Sequence, residues 1–263
     1  MINNLSLLNV SVCLGGTQIL SHVTAKIRAG EFIGIFGPNG AGKSTLAHCI
    51  LGLIPLTNGR ISVFENPAGR RNHLIGYMPQ FKTHLQSTAL SAFSVVAAVA
   101  QGNRWGLPWM GKVLKNEVME ALELAGAIDY AHRPFSVLSG GERRHIALAQ
   151  ALLGKPRLLI LDEPLASLDP RNQMHLVQCV RSIKASTGAT ILFITHDINP
   201  LLGTMDRVLY VAGGSAALGS VDDVLTSETL SALYRTEIHV VRAEGRIFIV
   251  TAEGNVTETA CHA

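Results

Sequence analysis

The segment Gly37–Thr45 reads GPNGAGKST and matches GxxxxGK[ST], the pattern of a phosphate-binding loop. Its glycines leave the backbone free to direct several N–H groups at phosphate oxygens. Lys43 can reach the β- and γ-phosphates, and the Ser44 hydroxyl can bind Mg²⁺. The loop therefore predicts a site for ATP with Mg²⁺. The predicted ATP-binding residues of the loop are Gly37, Pro38, Asn39, Gly40, Ala41, Gly42, Lys43, Ser44 and Thr45.

Two carboxylates, Asp162 and Glu163, end the apolar strand pattern RLLILDE. The apolar residues predict a buried strand, which leaves Asp162 at the carboxyl edge of a sheet, where α/β proteins bind ligands. There Asp162 can bind Mg²⁺, and Glu163 can polarise a water molecule for attack on the γ-phosphate. Acidic pairs also occur in solvated turns, so a role in catalysis depends on the complete phosphate loop.

Two single polar residues also follow strand patterns. Gln80 ends YMPQ and could reach the metal or the attacking water, while His196 follows ATILFIT and could contact the γ-phosphate. In isolation, either residue is more often an ordinary polar group at a strand end. Their order along the chain, together with the two motifs above, favours a role in the site for both.

Residues 137–148 read VLSGGERRHIAL and contain a further candidate at the start of a predicted helix. Ser139 and Glu142 fit a capping box, in which the two side chains satisfy free N–H groups at the helix start. The same N-terminus can present its amides to a phosphate. Because capping and phosphate binding use the same geometry, both interpretations hold together.

The elements that must position these residues alternate between strand and helix patterns. EFIGIFG leads into the phosphate loop, and a helix pattern follows from Lys43 to about Leu53. Helix patterns at 140–153 and 171–187 then alternate with the strands RLLILDE, ATILFIT and RVLYVA. Apolar strands between helices predict an α/β fold with a central, mainly parallel sheet covered on both faces.

Two stretches differ from this alternation. Residues 82–135 are rich in alanine and helix-like, with a turn at Gly106-Leu107-Pro108, and predict a helical insert. The last stretch, 216–263, carries SVDDVLTSETLSALY and then RIFIV. It predicts a helix followed by a small strand appendage.

The overall composition limits the classes of protein that fit. Charged residues make up 16% of the 263-residue chain, against roughly 25% in an average soluble chain, so part of the surface is expected to rest against a partner. A net charge of +3 without runs of like charge gives no support for nucleic acid as a partner. The longest apolar stretch, TALSAFSVVAAVA, is well short of the ~20 residues that span a bilayer, and the sequence shows no secretory signal pattern.

The motifs GPNGAGKST, YMPQ, LSGGE, LLILDEP, SLD and THD, in this order, resemble those of the ATP-binding subunit of an ATP-binding-cassette (ABC) transporter. The resemblance implies a P-loop NTPase core of the RecA-like kind with a mainly parallel sheet, an N-terminal antiparallel β subdomain and a helical signature subdomain. The expected ATP-binding domain is 1–215, with the helical subdomain inserted at about 82–150. Residues 216–263 are expected to form a short C-terminal appendage.

The resemblance implies ATP hydrolysis and assigns the residues that carry it. The implied catalytic residues are Glu163, His196 and Gln80, and the implied Mg²⁺ ligands, together with ATP, are Ser44, Gln80 and Asp162.

The resemblance also implies partners. The family signature corresponds to Ser139, Gly140, Gly141 and Glu142. By resemblance, it closes over ATP bound by a second copy of the chain, and Asp169 belongs to the loop that crosses this dimer interface. The other expected partners are integral membrane permease subunits and a substrate-binding protein. The expected location is the cytoplasmic face of the cell membrane, as a peripheral subunit.

One position departs from the family pattern. The family usually has an aromatic residue in its first strands that stacks on adenine, and VSVCLGG places Leu14 at that position. Stacking contributes roughly 1–3 kcal/mol per base in nucleic-acid sites. Because dispersion from Leu14 replaces only part of this, the resemblance implies weaker nucleotide affinity and base selectivity than in an aromatic site.

The tail ETLSALYRTEIHVV followed by GRIFIV resembles the C-terminal end of zinc and manganese importer ATPases. A cassette without a fused membrane domain is also similar to bacterial importers. These features favour the ATPase of a divalent-metal importer. The alternative is an iron-chelate or cobalamin-type importer. A non-transport ATPase of the family would typically contain a long coiled-coil insertion or two tandem cassettes, and the sequence shows neither.

Overall fold

The structure is a computed structural model that describes residues 3–80, 89–100, 102 and 111–251. These residues alternate between strands and helices. The strands are β1 (Asn3–Leu14), β2 (Thr17–Arg28), β3 (Phe32–Phe36), β4 (Asn58–Val63), β5 (Asn66–Pro67), β6 (Ile75–Met78), β7 (Leu158–Asp162), β8 (Thr190–Ile194), β9 (Arg207–Ala212), β10 (Ser215–Gly219), β11 (Ile238–Ala243) and β12 (Arg246–Thr251). The helices are α1 (Lys43–Ile50), α2 (Ala92–Ala100), α3 (Lys112–Leu124), α4 (Gly140–Leu152), α5 (Pro170–Thr187), α6 (Val221–Val224) and α7 (Ser227–Tyr234).

The described residues divide into two compact units. The first unit comprises those within Met1–Asn72 and Thr190–Ala263, and the second comprises those within His73–Ala189. The expected division into 1–215 and 216–263 follows sequence motifs rather than compactness, and it stays a prediction.

The first unit contains the predicted antiparallel strands near the N-terminus. β1 pairs with β2 and with β4, both antiparallel, and β4 pairs with β5. The turn between β1 and β2 is Gly15-Gly16, and both residues have positive φ angles, of 55° and 81°. Two adjacent positive φ angles match the right-handed twist of a two-residue hairpin, and glycine adopts them without steric cost.

A second sheet in the first unit carries the phosphate loop. Its strands run in the order β10-β9-β3-β8, and β3 is parallel to both β8 and β9. Every residue of β3 and of β8 is buried, as expected for strands of a parallel sheet covered on both faces. The prediction of an α/β fold with mainly parallel pairing is confirmed.

The second unit combines two parallel strands with helices. β6 pairs with β7 in parallel, and all residues of β7 are buried. α2, α3 and α4 contact one another, and α4 also contacts β6. The predicted helical insert is thus present as α2 and α3, while the predicted turn at Gly106-Leu107-Pro108 lies outside the described residues. No helix in the described part of the chain is both long and apolar enough to cross a membrane.

The end of α1, the C-terminal helices and β10 differ from the sequence prediction. α1 ends at Ile50, before the predicted Leu53, because Gly52 takes a positive φ of 72° and packs closely against Gly69. In the C-terminal appendage the sequence predicts one helix, but the structure has two short ones, α6 and α7, followed by an antiparallel hairpin of β11 and β12. β10, which pairs with β9, is not evident from the sequence pattern.

Candidate nucleotide-binding site

The phosphate loop connects β3 to the N-terminus of α1. Gly37, Gly40 and Gly42 have positive φ angles of 145°, 79° and 97°. No side chain caps α1, and its first turn carries no acidic residue. The positive end of the helix dipole is therefore not neutralised from within the helix, which favours an anion at this position.

The loop is held against two neighbouring strands at positions where only glycine fits. A Cβ atom on Gly37 would lie 1.9 Å from the carbonyl oxygen of Val211 in β9. A Cβ atom on Gly42 would lie 2.8 Å from Cγ2 of Ile19 in β2. At Gly40, by contrast, a Cβ atom would meet no atom of the described residues within 4 Å. The loop backbone is thus fixed against β9 and β2 at Gly37 and Gly42 and is accessible at Gly40. Such a loop can bind a triphosphate through its backbone N–H groups.

Lys43 is the buried cation of the loop. Its side chain is only 6% exposed, and Nζ donates hydrogen bonds to the carbonyl oxygens of Gly37 and Pro38 over 2.8 and 2.9 Å. The ammonium group is thus held inside the loop by backbone oxygens. A phosphate would meet a positive charge that is already in place, which reduces the conformational cost of binding.

Leu14 ends β1 at the tip of the first hairpin. Its side chain is 39% exposed, and its register partner is Thr17. The same hairpin carries Ile19, which lies against Gly42. Leu14 is therefore an accessible apolar side chain on the hairpin that adjoins the phosphate loop. Its contact with a nucleotide base stays a prediction.

His196 follows β8 and belongs to the same unit as the phosphate loop. The backbone N–H of the preceding residue, Thr195, donates to the carbonyl oxygen of Ile35 in β3 over 3.1 Å. The exposed His196 and the loop residue Asn39 line one cavity of about 380 Å³. His196 thus lies at the same cavity as the phosphate loop, and its contact with the γ-phosphate stays a prediction.

The C-terminal appendage contributes a wall of the same cavity. Ile247 and Ile249 of β12 line it, as do Tyr210 of β9 and Tyr234 of α7. The hydroxyl groups of the two tyrosines are 2.9 Å apart and form a hydrogen bond. Burial raises the pKa of Tyr210, and the contact with Tyr234 raises it further. Burial also raises the pKa of Tyr234, and the hydrogen bond with Tyr210 offsets this in part.

The second unit holds the predicted carboxylates at one edge of its strand pair. Met78 of β6 pairs with Leu161 of β7, so Asp162, the last residue of β7, and Gln80, two residues beyond β6, lie at the same ends of two parallel strands. Asp162 is 2% exposed and Glu163 is 7% exposed, whereas Gln80 is exposed. A carboxylate oxygen and an amide oxygen at one edge are hard ligands of the kind that Mg²⁺ prefers.

Tyr77 is a residue of this edge that sequence reasoning does not identify. Its hydroxyl is hydrogen-bonded to the Asp162 carboxylate. Burial, followed by the charge and hydrogen bond of Asp162, raises the pKa of Tyr77 to about 12. The phenol thus stays protonated and donates to Asp162, which restricts the orientation of that carboxylate. The only signal in the sequence is the position of Tyr77 within YMPQ.

The loop after β7 has an unusual backbone that a buried arginine supports. Glu163 and Ser167 have positive φ angles of 48° and 61°, which non-glycine residues seldom adopt. Arg144 of α4 is 7% exposed, and its Nη2 donates to the carbonyl oxygen of Ala166 over 2.9 Å. The helix that begins at the predicted signature thus directly supports the loop that carries Glu163.

Ser139 caps α4 in the predicted capping box. Its Oγ accepts from the backbone N–H of Glu142 over 3.2 Å, and the Glu142 carboxylate accepts from the backbone N–H of Ser139 over 2.7 Å. Arg133 donates to the same carboxylate over 2.6 Å. Burial alone would raise the pKa of Glu142, but the hydrogen bonds from Ser139 and the charge of Arg133 outweigh it and hold the pKa below its ordinary value.

Asp169 lies close to this capping box within the second unit. It caps α5 and accepts from the backbone N–H of Asn172 over 3.0 Å, a hydrogen bond that lowers the pKa of the Asp169 carboxyl. A Cβ atom on Gly141 would lie 3.2 Å from the Asn172 side chain. The starts of α4 and α5 are therefore in contact, and the structure brings the predicted signature and the predicted dimer loop together.

No three His, Cys, Asp or Glu side chains are grouped as metal ligands within residues 3–80, 89–100, 102 and 111–251. The predicted Mg²⁺ ligands are Ser44, Gln80 and Asp162. Only Asp162 among them belongs to these four residue types, so the predicted set is of a different kind. All three offer hard oxygen atoms, and Mg²⁺ usually completes its coordination with water and substrate phosphates. The predicted ligand set is thus suited to a metal that arrives with ATP.

Comparison with known proteins identifies similar ATP-binding subunits of transporters. The family model for ABC transporters matches residues 20–166. A Chlamydia pneumoniae protein named "Probable metal transport system ATP-binding protein" is 38% identical over 201 residues, which cover 74% of this chain and 80% of that protein. The zinc import ATP-binding protein ZnuC of Yersinia pestis is 32% identical over 225 residues, covering 86% and 82%. Among solved structures, cbiO1 of Clostridium perfringens, part of the ABC transporter complex cbiONQ, superimposes with a TM-score of 0.76 at 26% identity, covering 88% and 94%.

The tyrosines predict an alkaline transition. All four, Tyr77, Tyr130, Tyr210 and Tyr234, have raised pKa values, chiefly because of burial. The pKa values of these tyrosines in the folded protein lie above the value of ~10 in the unfolded chain. The buried, protonated phenols therefore contribute fully to stability below about pH 10, and this contribution is lost as the pH rises further. Ultraviolet titration should therefore show little tyrosinate in the folded protein at about pH 10.5 and more than half in guanidinium. A folded-state midpoint near 10 would contradict the burial of these hydroxyl groups.

Proposed function

The chain belongs to the ABC transporter family, and we propose that it is the ATP-hydrolysing subunit of an importer of divalent metal ions such as zinc or manganese. The observation that carries this proposal is the likeness to metal transport and zinc import ATP-binding proteins over most of their length. The intact phosphate loop and the carboxylates of Asp162 and Glu163 at the end of β7 support ATP hydrolysis rather than binding alone.

In the proposed mechanism, the phosphate loop binds the triphosphate of ATP. The backbone N–H groups at the start of α1 and the ammonium group of Lys43 contact its phosphates. Ser44, Gln80 and Asp162 would hold Mg²⁺, with Tyr77 orienting Asp162 through its hydrogen bond. When bound, the metal neutralises part of the phosphate charge.

Glu163 is the proposed general base for water. It is buried, and its left-handed backbone conformation is supported by the turn in which the N–H of Ala166 donates to its carbonyl oxygen over 3.2 Å. His196 would contact the γ-phosphate from the end of β8. These roles place proton abstraction on Glu163 and charge stabilisation on Lys43 and His196.

The proposed signature acts on the ATP of a second copy of the chain. Helix starts leave N–H groups without partners inside the helix, and the capping box satisfies only the amide of Glu142 within α4. The amides of Gly140 and Gly141 remain to face a phosphate. A Cβ atom on Gly140 would meet no atom within 4 Å in the described part of the chain, which is what a trans-acting contact at this face requires.

The proposed complex contains two copies of the chain, membrane permease subunits and a substrate-binding protein, with the chain at the cytoplasmic face of the membrane. Metal cargo is favoured over an iron chelate or cobalamin because the sequence relatives described above are named for metal or zinc transport. The likeness to cbiO1, which is part of an ABC transporter complex, supports assembly with other transporter subunits.

Glu163→Gln should slow ATP hydrolysis by about 10²- to 10⁴-fold, the usual contribution of a general base, because the amide cannot accept the proton of the attacking water. ATP binding should persist, because the phosphate loop is unchanged. The matched control is Glu120→Gln, which removes only an exposed ion pair with Lys155. Steady-state hydrolysis and titration calorimetry measure the two effects. Near wild-type turnover of Glu163→Gln would exclude Glu163 as the base.

The cargo can be tested in the organism that produces the chain. Cells that lack it should accumulate less zinc or manganese in metal-poor medium, and the wild-type gene should restore uptake while the Glu163→Gln gene should not. Elemental analysis of washed cells measures both metals together with iron and cobalt. Loss of iron or cobalt with unchanged zinc and manganese would instead favour the iron-chelate or cobalamin-type alternative.

A further inference from the structure

The loop that carries His196 is anchored on both sides by hydrogen bonds. Before His196, the N–H of Thr195 donates to the carbonyl oxygen of Ile35 over 3.1 Å. After it, the N–H of Asp197 donates to Oγ1 of Thr195 over 3.3 Å, and Oδ1 of Asp197 accepts from the N–H of Asn199 over 2.9 Å. This series leads from the strand before the phosphate loop, past His196, to Asn199.

The side chain of Asn199 continues this series into the C-terminal hairpin. Its Oδ1 accepts from the backbone N–H of Ile247 over 2.8 Å, and its Nδ2 donates to the carbonyl oxygen of the same residue over 3.2 Å. The amide thus binds both polar groups of one residue 48 positions away, much as a neighbouring strand would. If the amide were rotated by 180°, its NH₂ group would face the N–H of Ile247 and its oxygen would face the carbonyl oxygen. The two hydrogen bonds are therefore compatible with only one orientation of the Asn199 side chain.

The hairpin that receives Asn199 is itself fixed. Ser231 of α7 accepts from the N–H of Ile238 over 2.9 Å, and Ser227 accepts from the N–H of Val240 over 2.9 Å. Ile247 is 5% exposed and lines the cavity that also contains His196. The hairpin is therefore a firm support and not a loose tail at this point.

We propose that Asn199 is a positioning residue for ATP hydrolysis, which fastens the His196 loop to the C-terminal hairpin. The inference rests on the proposed function, in which His196 contacts the γ-phosphate. His196 is exposed and lies two residues beyond the end of β8, so the conformation of this loop sets the position of its backbone. Because the side chain of Asn199 is hydrogen-bonded to Asp197 and Ile247, its loss should affect the His196 loop and turnover and leave ATP binding by the phosphate loop intact.

Asn199→Ala should lower kcat by about tenfold or more, a typical effect of a small misplacement of a reacting group, with an unchanged KM for ATP. Asn199→Asp retains the acceptor for Ile247 N–H but places a carboxylate oxygen where Nδ2 now lies 3.2 Å from both the Ile247 carbonyl oxygen and Oδ1 of Asp197, so its kcat should fall at least as far as that of Asn199→Ala. The matched control is Asn66→Ala, which removes an amide hydrogen bond to the carbonyl oxygen of Phe64 in the same unit and should leave kcat unchanged. Thermal denaturation of each variant is measured first, and the activity assays are run at a temperature at which every variant is folded.

A double-mutant cycle with His196→Ala separates positioning from general structural support. If Asn199 acts through His196, Asn199→Ala should have no further effect on the single-turnover rate in the His196→Ala background. Equal losses of rate with and without His196, or an intact kcat in Asn199→Ala, would overturn the inference and leave the proposed function standing. An unchanged rate in His196→Ala alone would remove the proposed role of His196 and the inference together.

Discussion

The close approach of Gly37 to the carbonyl oxygen of Val211 is the contact on which the candidate nucleotide site depends. A side chain at this position would place a carbon 1.9 Å from that oxygen, so β9 fixes where the phosphate loop begins. Lys43 then holds the inside of the loop through two backbone carbonyl oxygens. The donors for a triphosphate are thereby arranged before it binds, which is the usual source of electrostatic catalysis.

β9 joins the phosphate loop to the C-terminal appendage. Tyr210, the residue before Val211, shares a hydrogen bond with Tyr234 of α7. Gly213, just after β9, lies close to the carbonyl oxygen of Leu233 in the same helix. Together with the Asn199 contact, these interactions give α7 and the hairpin two separate attachments to the parts of the first unit that surround the cavity. The appendage is thus part of the structure that surrounds His196.

The sequence predicts what depends on local signals. The phosphate loop, the capping box at Ser139 and the apolar parallel strands each have a pattern within a few residues, and the structure contains all three elements. The contacts of Tyr77 with Asp162 and of Asn199 with Ile247 join residues far apart in the chain, and no local pattern specifies them. The early end of α1 likewise depends on the packing of Gly52 against Gly69, which spacing alone does not reveal.

The central claim is that each ATP lies between the Lys43 loop of one copy and the Ser139 helix of the other, and mixed dimers test it directly. A Lys43→Ala chain paired with a Ser139→Arg chain would place both defects in one site and leave the other intact. A chain with both substitutions paired with a wild-type chain would place one defect in each site. ATPase assays on tagged, co-purified heterodimers should show measurable activity in the first dimer and almost none in the second. Greater activity in the second dimer would contradict the claim, because the wild-type chain would then contain a complete site of its own.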